Sequence, residues 1–194
     1  MTVPYVIEKG PKDQERVYDL FSRLLKDRII FIRDEFNSQM ADSVIAQLLF
    51  LETDDPEADI HMYINSPGGS ASAMLAIFDV MKYIKPAVST LGMGQCMSAA
   101  SFILAAGTKG KRFALPNTDI MIHELSTGTQ GKYKDIKNYM KHTDRLHEKV
   151  TKYYSEITGK PLARIKKDME IDNYMSAEEA VEYGLIDKIL YKRV

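Results

Sequence analysis

The chain carries 194 residues, with 26 Lys and Arg against 27 Asp and Glu and a formal net charge of −1, so one domain is expected and no global charge draws it to nucleic acid or an anionic membrane. Its one cysteine, Cys96, can build neither an internal disulfide framework nor a structural zinc site. No stretch approaches the roughly 20 apolar residues of a membrane span, and Met1–Gly10 has no presequence pattern, so a soluble, cytoplasmic protein is expected.

From Gln14 to Arg28, Val17, Leu20, Phe21, Leu24 and Leu25 recur at helical spacing, and Ile29 to Ile32 follows as a short strand. Ser38 or Asp42 is expected to cap a second helix with Val44, Ile45, Leu48, Leu49 and Leu51 on its apolar face, ending at Asp54-Asp55-Pro56. Ile60 to Ile64 reads as the next strand. The turn Asn65-Ser66-Pro67-Gly68-Gly69-Ser70 then leads into a third helix, Ala71 to Ile84, stopped by Lys85-Pro86. Val88 to Met93 is strand-like, Ser98 to Ala106 helix-like, and Arg112 to Leu115 and Asp119 to His123 are short strands. This alternation predicts an α/β architecture with helices covering the strands.

The remainder differs in character. Lys132 to Thr158 contains neither proline nor glycine, and Ile136, Met140, Leu146, Val150, Tyr153 or Tyr154, and Ile157 form an apolar stripe. The pattern predicts a helix of roughly 27 residues, about 40 Å long, which exceeds the width of a globule of this size. It is therefore expected to project and to bury its stripe on a partner subunit, the alternative being a helix lying across its own domain. Pro161 to Met169 and Ser176 to Tyr183 read as shorter helices, the second opened by the capping box Ser176-Ala-Glu-Glu179 and stopped by Gly184. Leu185 to Leu190 closes the chain as a strand, and Asp168 to Ser176 reads as a loop.

No phosphate-binding glycine loop, Cys/His ligand cluster or His-Glu-x-x-His is present, so neither a metal nor a cofactor is expected. Three side chains remain as candidates for chemistry. Ser98 heads an apolar helix after Leu91-Gly-Met-Gly-Gln-Cys-Met97, where unpaired helix N–H groups could stabilise an oxyanion; the alternative is an ordinary N-cap serine. His123 ends a strand and could act as general base, the alternative being a structural histidine. Of the other histidines, His61 sits in a strand pattern and His142 and His147 on the long helix. Asp172 could orient that base, with Asp168, Glu170 and Asn173 as rivals that spacing cannot separate. Gly68 and Gly69 add bare backbone at a strand-to-helix junction, suited to close approach by a substrate.

Taken together, Ser22-Arg-Leu-Leu-Lys-Asp-Arg-Ile-Ile30, Tyr63-Ile-Asn-Ser-Pro-Gly-Gly-Ser70, Gly110-Lys-Arg-Phe-Ala-Leu-Pro-Asn117, Ile120-Met-Ile-His123, Met175-Ser-Ala-Glu-Glu-Ala180 and Tyr183-Gly-Leu-Ile-Asp187 resemble the Clp protease proteolytic subunit family, ClpP. The likeness runs from about Tyr18 to Leu190 and is that of a divergent paralogue. It implies an α/β fold of the ClpP/crotonase-like spiral type, built from ββα units with a projecting handle helix. Residues 1–194 would form a single peptidase domain, with an N-terminal axial segment at 1–17, a globular head at 18–122 and 160–194, and the handle at 123–159.

The resemblance further implies a serine endopeptidase of the Clp type, with Ser98 as nucleophile, His123 as base and Asp172 as orienter, and with the backbone N–H groups of Gly69 and Ala99 as oxyanion hole. It implies heptameric rings stacked as a tetradecamer, unfolded proteins as substrates, a role in protein quality control, and a hexameric AAA+ unfoldase as partner. That unfoldase, not this chain, would use ATP, and it would dock at Tyr63, Tyr83, Leu91, Phe113, Leu115 and Leu190. A second ClpP paralogue is a further expected partner; nucleic acid and membrane are not.

Three departures from the family pattern bear on function. Cys96-Met97-Ser98-Ala99-Ala100 stands where Ala-Ala-Ser-Met-Gly is usual, Glu124-Leu125-Ser126-Thr127-Gly128 replaces Gln-Pro-Leu-Gly-Gly, and Ile171 replaces an arginine that pairs across the ring interface. The first leaves the Ala99 backbone donor in place but reshapes the neighbouring pocket, so a shift in substrate preference is expected; the other two predict a double ring that is weakened, or held inactive, when the subunit is alone. A structural paralogue working in a mixed barrel, a crotonase-like acyl-CoA enzyme, and Cys96 as the nucleophile are the competing readings.

Overall fold

The computed structural model describes residues 4–9 and 15–192. A hairpin opens it: β1 (Tyr5–Lys9) pairs antiparallel with β2 (Glu15–Asp19), with Ile7 opposite Val17. The expected helix from Gln14 therefore starts later, as α1 (Leu20–Lys26). Its N-cap is Asp19, whose carboxylate accepts from the Phe21 and Ser22 N–H groups, and that cap closes off β2 behind it. Gln14 lies outside the described residues.

Next come β3 (Ile29–Arg33), α2 (Ser38–Asp54), β4 (Ile60–Ser66), α3 (Ala71–Tyr83), β5 (Val88–Met97) and α4 (Ala99–Ala105). The cap of α2 is Asn37, one residue before the expected Ser38, its side chain accepting from the Met40 N–H. Strands β6 (Arg112–Ala114) and β7 (Asp119–Ile122) precede the long helix α5 (Tyr133–Thr158), and α6 (Leu162–Asp168), β8 (Asn173–Met175), α7 (Ala177–Tyr183) and β9 (Lys188–Ile189) complete the chain. The capping box at Ser176 and Glu179 is formed in full. The final strand is only two residues long, and the stretch expected as a loop contains β8.

Strands β3, β4, β5, β6 and β9 lie side by side, with every pairing along that path parallel. β5 serves two neighbours in turn. Its first half, Thr90–Gly92, pairs with β6, and after the positive-φ turn at Gly94 its second half, Gln95–Met97, pairs with β7. β8 then adds antiparallel to β7. The result is a mixed α/β fold with a parallel sheet and, among the described residues, seven helices.

Side-chain alternation along the strands sets the layers. Ile30, Ile32, Ile60, Met62 and Ile64 are buried in one core with Val44 and Leu48 of α2, Ile77 of α3 and Phe102, Ile103 and Leu104 of α4. The opposite face carries a row across four strands: Phe31 is beside Tyr63, Tyr63 beside Leu91 and Leu91 beside Phe113. α1 reaches this row only at one end, where Phe21 meets Phe31 edge to face at 5.5 Å.

Helix α5 runs for 26 residues, about 39 Å, as its uninterrupted sequence requires. Its buried residues are Val150, Thr151 and Tyr154, all near the C-terminal root, whereas Tyr133, Tyr139 and Met140 are exposed. The outer half thus leaves its stripe uncovered by the rest of the chain instead of lying across the head. Among the described residues no helix is long and apolar enough to cross a membrane.

Candidate active site

Ser98 is the single residue between β5 and α4, and the junction forces it to φ 55°, ψ −118°, a region that non-glycine residues seldom occupy. Its backbone N–H donates to the Met121 carbonyl at 2.9 Å, locking it to β7. Although it stands at the N-cap position, its side chain makes no capping hydrogen bond. The hydroxyl lies instead 2.7 Å from His123 Nε2. The N-cap alternative for Ser98 is therefore not the one adopted.

His123 follows directly on β7. The antiparallel register sets Ile122 opposite Asn173, so the next position on each strand, His123 and Asp172, also face one another. Asp172 Oδ1 is 3.5 Å from His123 Nδ1, an ion-pair distance longer than a good hydrogen bond, and the Asp172 side chain is 53% exposed. Its rival Asp168 is engaged elsewhere, accepting from Arg164 Nε at 2.7 Å and from the Tyr183 hydroxyl at 2.9 Å. Glu170 is exposed, and Asn173 occupies the preceding register position.

The glycine turn packs against the nucleophile from the other side. A Cβ on Gly68, at φ 97°, would come within 2.6 Å of the Met97 carbonyl oxygen and 2.7 Å of Ser98 Cβ. A Cβ on Gly69, at φ 142°, would come within 2.7 Å of the Phe36 backbone nitrogen. The turn is tied down by Phe36, whose N–H donates to the Gly68 carbonyl at 2.8 Å and whose carbonyl accepts from Ser70 N–H at 2.9 Å. Gly68 N–H donates to Ser66 Oγ at 3.1 Å. With its neighbours so engaged, the Gly69 N–H is the turn's remaining donor beside the cleft, and the Ala99 N–H, first in α4, has no partner within that helix.

These groups border a cleft of about 560 Å³. Met74, Phe102, Val150 and Tyr154 form an apolar wall next to Ser98, while Glu35 and Glu124 put two carboxylates on its rim. Leu125, one of the departures from the family pattern, also lines it. Cys96 does not: it is fully buried, its thiol 3.3 Å from the Ile64 carbonyl, and burial pushes its pKa up to about 12. A thiol held neutral in the core is no nucleophile, which removes that competing reading.

A serine hydroxyl at hydrogen-bond distance from an imidazole, a carboxylate on the far ring nitrogen and bare N–H groups across a cleft form an arrangement able to transfer an acyl group. The family model of the Clp protease matches residues 12–193. The chain belongs to the Clp protease family. As a Clp protease it is a ClpP-like serine peptidase, a hydrolase acting in proteolysis.

The residues named for the docking cleft of a Clp protease lie mostly together. Tyr63, Leu91 and Phe113 are the cross-strand row described above, and Leu115 and Leu190, both half-buried, follow β6 and β9, with Leu115 N–H bonded to the Gly92 carbonyl and Leu190 N–H to the Ala114 carbonyl, each at 2.9 Å. Tyr83 stands apart as an exposed residue ending α3. Sequence reasoning missed Phe31, which continues the row, and the pocket residues Met74, Phe102 and Glu35. The signal for Phe31 was present, because its neighbours Ile30 and Ile32 alternate with it. None existed for Glu35, which reaches the cleft only through the bridge between Phe36 and Gly69.

Proposed function

We propose that the chain is the proteolytic subunit of an unfoldase-fed ring endopeptidase that cleaves unfolded proteins through Ser98, His123 and Asp172. The 2.7 Å contact between Ser98 Oγ and His123 Nε2, at a serine spared from helix capping, is the observation that carries this reading. Asp172, accepting from Nδ1–H, fixes the tautomer that leaves Nε2 free to take the hydroxyl proton as Ser98 Oγ attacks the peptide carbonyl. The oxyanion that forms is stabilised by the Gly69 and Ala99 N–H groups. His123 then passes its proton to the leaving amine, and water repeats the sequence on the acyl-enzyme, returning Ser98.

The domain is a single peptidase unit over 1–194, with an axial segment at 1–17, a head at 18–122 and 160–194, and a handle at 123–159; residues 1–3, 10–14 and 193–194 of these spans lie outside the described residues. The exposed stripe on the outer half of α5 supports burial between stacked heptameric rings. The Phe31, Tyr63, Leu91, Phe113 row, apolar and half-buried on the face away from the core, supports docking of a hexameric AAA+ unfoldase, which supplies the ATP-driven work.

A second reading, a weakly active subunit completed by a more typical ClpP paralogue, is favoured by one observation. Ile171 is 77% exposed beside a carboxylate only loosely engaged with its histidine. Fluorophosphonate labelling of Ser98, with sedimentation on the same sample, separates the two. Labelling and peptide turnover by the protein alone as a tetradecamer support the first, and labelling only after mixing with a typical subunit supports the second. Absence of labelling at Ser98 under both conditions overturns both.

A further inference from the structure

Two hydroxyl groups that the mechanism above does not use stand in line behind the nucleophile. Ser101, fully buried in α4, donates from Oγ to the Ser98 carbonyl oxygen at 2.7 Å. That bond takes the one proton Ser101 owns, so in its 2.9 Å contact with the Tyr154 hydroxyl the tyrosine is the donor. Tyr154 is 2% exposed at the root of α5, and burial raises its pKa well above the ordinary phenol range, which keeps the proton in place. The relay runs from Tyr154 O–H to Ser101 Oγ–H to the Ser98 carbonyl.

The carbonyl at its end belongs to the same planar peptide unit as the Ala99 N–H. In a trans peptide these two groups point in opposite directions, so drawing the carbonyl back toward α4 and α5 aims the N–H forward into the cleft. The unit needs such restraint, because Ser98 holds a positive φ that its own side chain disfavours. One further bond reaches the same carbonyl, from the Phe102 N–H at 3.1 Å, so the relay adds a second and shorter restraint to the one the first helix bond supplies.

We propose that Tyr154, acting through Ser101, is a positioning residue that sets the direction of the Ala99 N–H and thereby the strength of the oxyanion hole. The proposal rests on the serine peptidase reading. Removing an oxyanion donor outright costs about 10²–10³ in kcat, so turning one without removing it is expected to cost about 10-fold in kcat with KM little changed.

The test uses the full chain mixed with a typical ClpP subunit whose own nucleophile is alanine, so that all turnover comes from Ser98. Tyr154→Phe keeps the ring, which meets Phe102 edge to face at 5.2 Å, and deletes only the donor. Ser101→Ala deletes the middle link, and Tyr153→Phe, a neighbouring hydroxyl outside the relay, is the control. The expected result is a kcat loss in Tyr154→Phe and Ser101→Ala, matched by an equal loss of affinity for a peptide boronate, whose adduct oxygen takes the oxyanion position. The double variant should be no worse than the worse single one, because both act through one relay. If Ser101→Ala fails to fold because it strands the tyrosine hydroxyl, the double variant, which removes both polar groups, carries the measurement. Wild-type kcat and boronate affinity in folded Tyr154→Phe and double variants of equal assembly size overturn the proposal, as does a loss confined to KM. Failure of the unmodified chain to turn over peptide or label at Ser98 instead removes the peptidase reading itself.

Discussion

Gly68→Ala tests how closely the turn and the nucleophile depend on one another. The added methyl group would sit 2.6 Å from the Met97 carbonyl oxygen, 2.7 Å from Ser98 Cβ and 3.1 Å from the Ala99 nitrogen, and two of these neighbours are backbone atoms that cannot rotate away. Alanine must also hold φ near 97°, at a strain cost of about 1–3 kcal/mol, and relief of the overlap adds about 1–3 kcal/mol. The sum, about 2–6 kcal/mol, is large against the stability of an ordinary domain. Part of it can be relieved by moving Ser98, which is already strained, so activity should fall further than stability. Gly110→Ala is the matched control: its φ is 86°, yet nothing lies within 4 Å of its added Cβ, so it carries strain without overlap. Urea unfolding and peptide turnover on both variants give the comparison. Gly68→Ala should lose about 1–3 kcal/mol more than Gly110→Ala, the overlap being the part the two do not share, and about 10²-fold or more in kcat/KM, as expected when a reacting group is displaced by an ångström. Equal behaviour of the two variants in both assays would refute the reasoning.

Ser98→Ala should abolish peptide turnover while Cys96→Ala retains it, since the thiol is buried and neutral; turnover that follows Cys96 would reverse the assignment. Asp187→Asn should destabilise the fold by about 3 kcal/mol, because Arg112, itself buried, loses its charge partner at 2.6 Å and keeps only carbonyl acceptors. Burial acts to raise the Asp187 pKa, but the hydrogen bonds from Arg112 outweigh it and hold the carboxyl below its ordinary value. Its contribution is therefore present above the unfolded-state pKa of about 3.9 and lost as pH falls through the lower folded-state value, so the variant should show a flatter acid limb in urea unfolding below about pH 4. Ile171→Arg should shift sedimentation of the isolated protein toward stacked rings, and an unchanged distribution would show that this position does not govern assembly.

The parts of this architecture that could be read from the chain are those decided locally. A run of 27 residues without proline or glycine, carrying one apolar stripe, has little choice but to form α5, and Ser176 with Glu179 caps α7 because both halves of the box lie within one turn. Ser98 was ambiguous for a physical reason: the same residue at the same place is a cap or a nucleophile according to its backbone angles and what stands opposite. Asp172 could not be chosen over Asp168, Glu170 and Asn173 because the choice is made by the pairing of β7 with β8, about 50 residues apart in the chain, over three residue pairs. The start of α1 was misplaced because Val17, Leu20 and Phe21 fit a helical period by coincidence. Val17 is in fact exposed on a strand, and Asp19, a good N-cap residue, marks the true boundary.

One helix joins the two unusual aspects of this chain. The outer half of α5 leaves its stripe exposed, so its final position is set by whatever covers that stripe, while Tyr154 at its root is the first member of the relay ending on the Ser98 carbonyl. A displacement of the outer half of this helix, about 39 Å long, that reached its root would lengthen and misalign the 2.9 Å contact between Tyr154 and Ser101, and hydrogen bonds weaken as their angle closes. On the ring-peptidase reading proposed above, assembly contacts and oxyanion geometry would then be coupled through a single side chain. Asp172, 3.5 Å from its histidine, stands at β8, which pairs with β7 alone, so a partner that covered that edge is expected to tighten the Asp172–His123 pair.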